Sequence, residues 1–208
     1  MQALVDRLLR DGVNLGNNIL KVDGFINHQL DPHLTREIGK ALARKFRDAG
    51  INDATKVVTA EVSGIAFALQ TAIELDIETI FARKVRPVTM PKDSYTRRVN
   101  SPTKGQEVEI VLNPEYIGPR DRVLLVDDFL ASGETLAALY DLVSQSGATV
   151  TGFGCVIEKS FQNGRRVLTP YGLPIVSLAM IQSMDNGAIR AVATPPELYR
   201  APGMTAAA

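Results

Sequence analysis

Five apolar runs of strand length alternate along this chain with segments whose apolar residues recur at helical spacing, and few architectures accept that alternation. The runs are TKVVTAE at 55–61, ETIFARKV at 78–85, RVLLVDD at 122–128, TVTGFGCVIE at 149–158 and PIVSLAMI at 174–181. Such alternation is the pattern that gives a mostly parallel sheet covered on both faces. The expected fold is therefore α/β, a mostly parallel central sheet flanked by helices. A chain of 208 residues that is 45% hydrophobic can bury one sizeable core. One domain over 1–208 is expected.

The helical segments are punctuated. LDPHLTREIGKALARKFRDAG at 30–50 offers Asp31 as N-cap and Pro32 at the first helical position. It places Ile38, Leu42, Ala43 and Phe46 on one face and stops at Gly50. GIAFALQTAIELD at 64–76 and GETLAALYDLVSQSGA at 133–148 repeat the arrangement, the second closing at Gly147. Two segments break the alternation. NILKVDGFINHQL at 18–30 mixes apolar residues with Asn27, His28 and Gln29, and is expected to cap the open end of the sheet. RPVTMPKDSYTRRVNSPTKGQ at 86–106 is polar, basic and broken by proline between two strands; loops of that length in a compact domain are uncommon, and a mobile lid is expected. The terminal TAAA is expected to fray.

Charge narrows the function classes. Lys plus Arg is 23 and Asp plus Glu is 23, so no global field invites nucleic acid or an anionic membrane. No apolar stretch approaches the roughly 18–20 residues that span a bilayer, and the residues after Met1 do not read as a leader. The single Cys155 lies in the apolar run GFGCVIE and is expected to be a buried structural thiol in a reducing, cytoplasmic setting. His28 and His33 have no metal-ligand spacing.

The stretch VLLVDDFLASGET at 123–135 holds the chemistry. Ligands of open parallel sheets sit at the carboxyl ends of strands, and Asp127 and Asp128 emerge there from apolar cover. Two adjoining carboxylates repel, and burial sharpens the repulsion, so hydroxyl donors or a metal must compensate them. Directly after comes a small turn opening a helix, whose free N–H groups and positive dipole end attract an anion. A diol held by acids beside a phosphate held by a helix N-terminus describes a ribose 5-phosphate. Two other readings stand beside it: an N-cap with a solvated neighbour, and a magnesium-holding Asp pair of the phosphatase or receiver-domain kind, which would not require the Ser-Gly-x-Thr turn.

At these residues the chain resembles the type I phosphoribosyltransferases, whose pattern is the apolar strand, the paired acids and the phosphate turn. Within that family the likeness is strongest to the bacterial xanthine branch, carried by NILKVDGFINHQLDP (18–32), SGIAFA (63–68), FARK (81–84) and IEKSFQNGR (157–165). The resemblance implies a transfer of the phosphoribosyl group of phosphoribosyl pyrophosphate to a purine base with Mg2+, held mainly by the substrate. It also implies a homodimer, and a small hood from about 15–31 and 159–190. Asp127 and Asp128 would hold the ribose hydroxyls, and Ala131, Ser132, Gly133, Glu134 and Thr135 the 5-phosphate. Ser63 and Gly64 in EVSG would let backbone approach pyrophosphate, and Arg83 or Lys84 would supply positive charge to it. Leu20, Asn27 and Lys159 would meet the base.

The chemistry of those last residues agrees with a dioxopurine. An ammonium has only donors, which suits the acceptor oxygen at the 6-position and not the amine of adenine, and the Asn27 amide can donate to a 2-oxygen. The chain departs from the xanthine branch in one place: SGET stands where an Asn-Gly-Gln-Ala-like turn is expected, keeping a small polar group and the glycine. An oxocarbenium-like ribose is the expected transition state, with Lys92, Tyr95, Arg97 and Arg98 of the lid as candidate contacts. Guanine/hypoxanthine and adenine transferases are the alternatives. A sugar-pyrophosphate-sensing transcription regulator is a further one, although no basic recognition helix is evident.

Overall fold

The computed structural model describes residues 1–100 and 107–199. Its elements in chain order are α1 (Gln2–Asp11), β1 (Val13–Asn14), β2 (Leu20–Lys21), α2 (Pro32–Asp48), β3 (Lys56–Ala60), α3 (Gly64–Leu75), β4 (Glu78–Ala82), β5 (Tyr95–Asn100) and β6 (Glu107–Leu112). They continue with β7 (Arg122–Leu130), α4 (Glu134–Gln145), β8 (Thr149–Lys159), α5 (Gly164–Leu168), β9 (Ile175–Ser183) and β10 (Arg190–Ala193).

Each of the five apolar runs becomes a strand of one sheet. Its order is β10-β9-β8-β7-β3-β4, parallel throughout except for the antiparallel edge strand β10. Strand alternation divides the core between the two faces. Leu124 and Val126 of β7 join Ile38, Leu42, Phe46 and Phe67 from α2 and α3 on one side. Val123 and Leu125 join Leu136, Leu139, Leu142 and Phe153 on the other, with α4. Cys155 is fully buried in this second cluster.

The helix punctuation behaves as its chemistry requires. Asp31 Oδ1 accepts from the N–H groups of His33 and Leu34, Pro32 occupies the first helical position, and Gly50 takes a φ of +86°. Gly147 likewise closes α4 with a φ of +77°.

Seven of these elements had no sequence expectation: α1, β1, β2, β5, β6, α5 and β10. Helix α1 places Leu4, Val5 and Leu8 in the core and packs on β9 and β10. The hairpin β1–β2 belongs to the N-terminal segment, and Asn14 Nδ2 donates to Met184 O at 2.7 Å, tying it to the 184–188 turn. Strand β10 adds an edge. The segment 86–106 is not loop throughout: Tyr95–Asn100 is a strand paired antiparallel with Glu107–Leu112. Residues 101–106 of that segment and the TAAA end lie outside the described residues.

Candidate active site

The order of the strands fixes where a crevice opens. From β3 the chain runs outward to β4, then returns to lay β7 on the other side of β3 and proceeds away to β8 and β9. The direction of winding reverses between β3 and β7, which is where open α/β sheets bind ligands, beyond the carboxyl ends of the strands. The β3–β7 ladder ends at Val58↔Leu125, two residues short of Asp127. Helix α3 starts four residues after β3, and helix α4 starts four residues after β7. Both N-termini therefore lie at the same edge of the sheet as the acid pair.

Asp127 is 8% exposed and Asp128 half-buried. Each accepts from the next backbone amide: Asp128 N donates to Asp127 Oδ1 at 2.9 Å and Phe129 N to Asp128 Oδ1 at 3.0 Å. Burial, and then the neighbouring Asp128 charge, push the Asp127 carboxyl well above its ordinary range, while Lys84 pulls in the opposite direction. Burial also raises Asp128, against hydrogen bonds from Asp127, its own backbone and Ser63. The pair thus resists full ionisation and presents strong acceptors that need donors or a cation.

The turn Ala131–Thr135 runs from β7 into α4. Gly133 is the N-cap, with a φ of +85° that favours glycine, and Ala137 N bonds back to Gly133 O. Ser132 and Thr135 are half-buried and Glu134 exposed. Ser132 Oγ lies 3.5 Å from Glu134 N, too long to occupy that amide firmly. The first amides of α4 are thereby left toward the crevice, with the positive end of a 12-residue helix behind them.

The second turn, Glu61–Gly64, enters α3 and contains a cis peptide at Glu61–Val62. Gly64 matters through close approach: a Cβ there would lie 2.2 Å from Thr59 Oγ1 and 2.9 Å from Asp127 Oδ1. Only a residue without a side chain lets α3 begin against the acid pair. Of the two cations expected here, Lys84 is the one whose charge reaches Asp127. Its N–H bonds to Glu61 Oε1 at 2.5 Å. The Arg83 guanidinium turns to the Phe81 ring, 5.9 Å away, and to Glu61 at 3.7 Å. Glu61, which joins both basic residues to the turn, was missed in the sequence. Its only signal was its place in EVSG.

Lys159, at the end of β8, donates to the Asn18 carbonyl at 2.7 Å, with its Nζ 5.4 Å from the Phe129 ring centroid. Burial lowers its pKa. This bond joins the N-terminal segment to the β7–β8 edge, and Phe129, the residue after the acid pair, forms the floor beneath the ammonium. Asn27 ends the π-helical turn Asp23–Asn27 and is exposed, whereas Leu20 is buried in the core.

The lid candidates are divided. Arg97 pairs with Asp141 of α4 at 2.9 Å and Arg98 with Glu107 at 3.9 Å, while Lys92 is exposed and Tyr95 packs against the second core cluster. A pocket of about 310 Å³ opens elsewhere, beside the edge strand β4, lined by Thr79, Phe81, Arg83, Met90, Leu112 and Tyr116. The acid pair and the Ala131–Thr135 turn do not border it, so it is not the crevice described above.

A family model for the phosphoribosyl transferase domain matches residues 28–181. The xanthine phosphoribosyltransferase of Deinococcus deserti is 52% identical over 187 residues, 90% of this chain and 95% of that protein. Its counterpart in Streptococcus pneumoniae is 47% identical over 189 residues, covering 91% and 96%. Among solved structures, the adenine phosphoribosyltransferase of Rhodothermus marinus superposes with a TM-score of 0.66 at 26% identity, over 85% of this chain and 97% of that one. The Giardia lamblia enzyme in complex with 9-deazaadenine gives 0.67 at 21%, over 84% and 95%, a likeness of fold.

Proposed function

This chain belongs to the phosphoribosyl transferase family, and we propose that it transfers the 5-phosphoribosyl group of phosphoribosyl pyrophosphate to xanthine, giving xanthosine 5'-monophosphate and pyrophosphate. The observation that carries the base assignment is Lys159: a donor-only group, partly desolvated, at the crevice rim beside Phe129, in a chain whose relatives at 43–52% identity are xanthine phosphoribosyltransferases. A 6-oxopurine satisfies that ammonium; adenine leaves it facing an amine.

In this reading Asp127 and Asp128 accept the ribose 2'- and 3'-hydroxyls, which supply the donors the pair needs. The amides of Ala131–Thr135, with the Ser132 and Thr135 hydroxyls, take the 5-phosphate, and the Ser63–Gly64 turn with Lys84 receives pyrophosphate. Arg83 neutralises Glu61. Leu20 shapes the base pocket from the core, and Asn27 meets the 2-oxygen. Because two carboxylates and no third acid meet here among the described residues, the donor set suits Mg2+ held by one or both acids and chiefly by substrate oxygens. The ion would shield pyrophosphate charge. The protein's own part is to aim acceptors at the ribose as positive charge grows on it, and donors at the leaving group.

A homodimer fits the exposed apolar residues along α3 and the β4 edge, including Leu69 at 48% exposure, Ile73 at 57% and Phe81 at 38%. The lid role of 86–106, the hood formed by 15–31 and 159–190, and a cytoplasmic setting belong to the same reading; no helix among the described residues is long and apolar enough to cross a membrane. The test is to supply Mg2+, phosphoribosyl pyrophosphate and each of xanthine, guanine, hypoxanthine and adenine, following nucleotide formation. Turnover of xanthine above adenine by at least a hundredfold in kcat/KM is expected. Preferential turnover of adenine would overturn the base assignment.

A further inference from the structure

The stretch that begins at Lys159 folds back on itself. Glu158, its neighbour, is a charged residue buried at the centre of the sheet: 2% exposed, paired in register with Leu130 of β7 and Met180 of β9. Seven residues later, Arg165 in the first turn of α5 returns to it. Arg165 Nε donates to Glu158 Oε1 and Nη2 to Oε2, both at 2.7 Å, while Nη1 donates to Ile175 O at 3.2 Å and Leu198 O at 2.7 Å. Every nitrogen of the guanidinium is engaged, and Ser177 Oγ lies 2.7 Å from Glu158 Oε2.

The loop closed by this pair also touches the phosphate turn, backbone to backbone. A Cβ on Gly164 would fall 2.5 Å from Ala131 O, and one on Gly133 would fall 2.9 Å from Gly164 O. Two glycines facing each other leave no room for adjustment between α5 and the Ala131–Gly133 segment. The near end of the same loop carries Lys159, whose carbonyl accepts from Gln162 N at 3.0 Å and whose ammonium reaches Asn18.

A buried ion pair of this kind seldom stabilises a protein more than apolar residues of the same volume would. What the two-point fork does supply is a fixed plane and a fixed distance. We propose that the Glu158–Arg165 pair is a positioning clasp that holds Lys159 and the phosphate turn at one separation, so that a base held by the first meets C1 of a ribose whose phosphate is held by the second. Neither clasp residue touches substrate. This rests on the base and phosphate roles proposed above. Misplacement of reactants by about 1 Å costs on the order of a hundredfold in rate, and the clasp acts on that distance.

The experiment compares three variants by steady-state kinetics well below each one's Tm. Arg165→Lys keeps the charge and loses the fork. The double variant Glu158→Gln with Arg165→Gln leaves no unpaired buried charge and guards against a misfolded single variant. Gly164→Ala presses on the phosphate turn directly. Expected are a fall in kcat of about 10- to 100-fold in the first two with both KM values within about threefold, and a rise of about tenfold in KM for phosphoribosyl pyrophosphate in the third. Loss of Tm with kcat within twofold of the parent would make the clasp merely structural and overturn the proposal. Lys159→Gln separates the underlying reading: if it leaves xanthine kinetics unchanged, the base role fails by itself. The kcat of Arg165→Lys then decides whether the clasp positions the phosphate turn or nothing.

Discussion

Asp127→Asn should separate what the acid pair costs the fold from what it gives the reaction. The carboxyl is 8% exposed, beside Asp128, and raised well above its ordinary pKa chiefly by burial. The amide keeps the bond now accepted from Asp128 N at 2.9 Å, because that bond falls on Oδ1. Its new N–H₂ can donate toward Asp128, whose side chain already hydrogen-bonds residue 127. Lost are a desolvated charge and its repulsion from Asp128, partly offset by the lost attraction to Lys84. The ligand-free variant should therefore be more stable by about 1–2 kcal/mol at pH 8, the usual yield when an active-site conflict is relieved. For a chain of this length that is about 2–8 °C in Tm.

The sign with pH follows from linkage. Below about pH 4, the ordinary carboxyl range, residue 127 of the parent is neutral folded or unfolded, and parent and variant should melt together. As pH rises, the unfolded chain ionises while the folded one resists, so the parent loses stability until its own raised pKa is passed. The gap should open across that window and then level. Turnover should move the other way: loss of a charged acceptor for a ribose hydroxyl, worth about 1.5–3 kcal/mol, predicts a fall of about 10- to 100-fold in kcat/KM. Scanning fluorimetry from pH 4 to 8.5 beside kinetics at pH 8 tests both. A variant less stable than the parent at pH 8, or a gap that narrows as pH rises, would refute the account of the acid pair as a strained site awaiting its donors.

Lys159→Gln should cut kcat/KM for xanthine by about 10- to 100-fold and leave KM for phosphoribosyl pyrophosphate within twofold; equal losses on adenine and xanthine would sink its role as the 6-oxygen donor. Gly64→Ala drives a Cβ to 2.2 Å from Thr59 Oγ1, forcing α3 back by about 1 Å and lowering kcat/KM about a hundredfold. Adding Thr59→Ala relieves the nearer clash and should return part of that loss, and a variant as active as the parent would show that the close approach is unnecessary. Leu69→Arg with Ile73→Arg, both exposed on α3, should convert a dimer to a monomer by analytical ultracentrifugation. An unchanged mass would place the interface elsewhere.

What the sequence disclosed and what it hid have separate physical causes. A parallel strand buried on both faces writes itself as an apolar run, so β3, β7, β8 and β9 were legible, and the half-buried edge strand β4 showed through its short apolar stretch. Helix α2 was legible because its ends are chemical: Asp31 bonding two amides, Pro32 fixing φ, Gly50 turning left-handed. The hairpin β5–β6 was hidden because its first strand is YTRRVN, polar at Thr96, Arg97, Arg98 and Asn100 and without the apolar alternation that marks a half-buried strand. Strand β10 is four residues long at an edge, too short to carry a period. The acid pair and the phosphate turn lie within thirteen consecutive residues and could be read as one motif.

The other half of the proposed site, and the clasp behind it, are assembled from distant parts, and no local pattern encodes them. Lys159 meets Asn18 across 141 positions, and Arg165 meets Leu198 across 33. The order of strands, reversing between β3 and β7, sets where the crevice opens. Even so, the residues that must breach ordinary rules were visible as breaches: two acids inside the apolar strand β7, which runs on to Leu130, and a charge, Glu158, near the end of the buried strand β8. The first breach was read as function. Glu158 and its partner Arg165 both lie within IEKSFQNGR, but nothing local says that the chain folds back to join them, and a buried carboxylate shows itself only once the fold supplies the group that neutralises it.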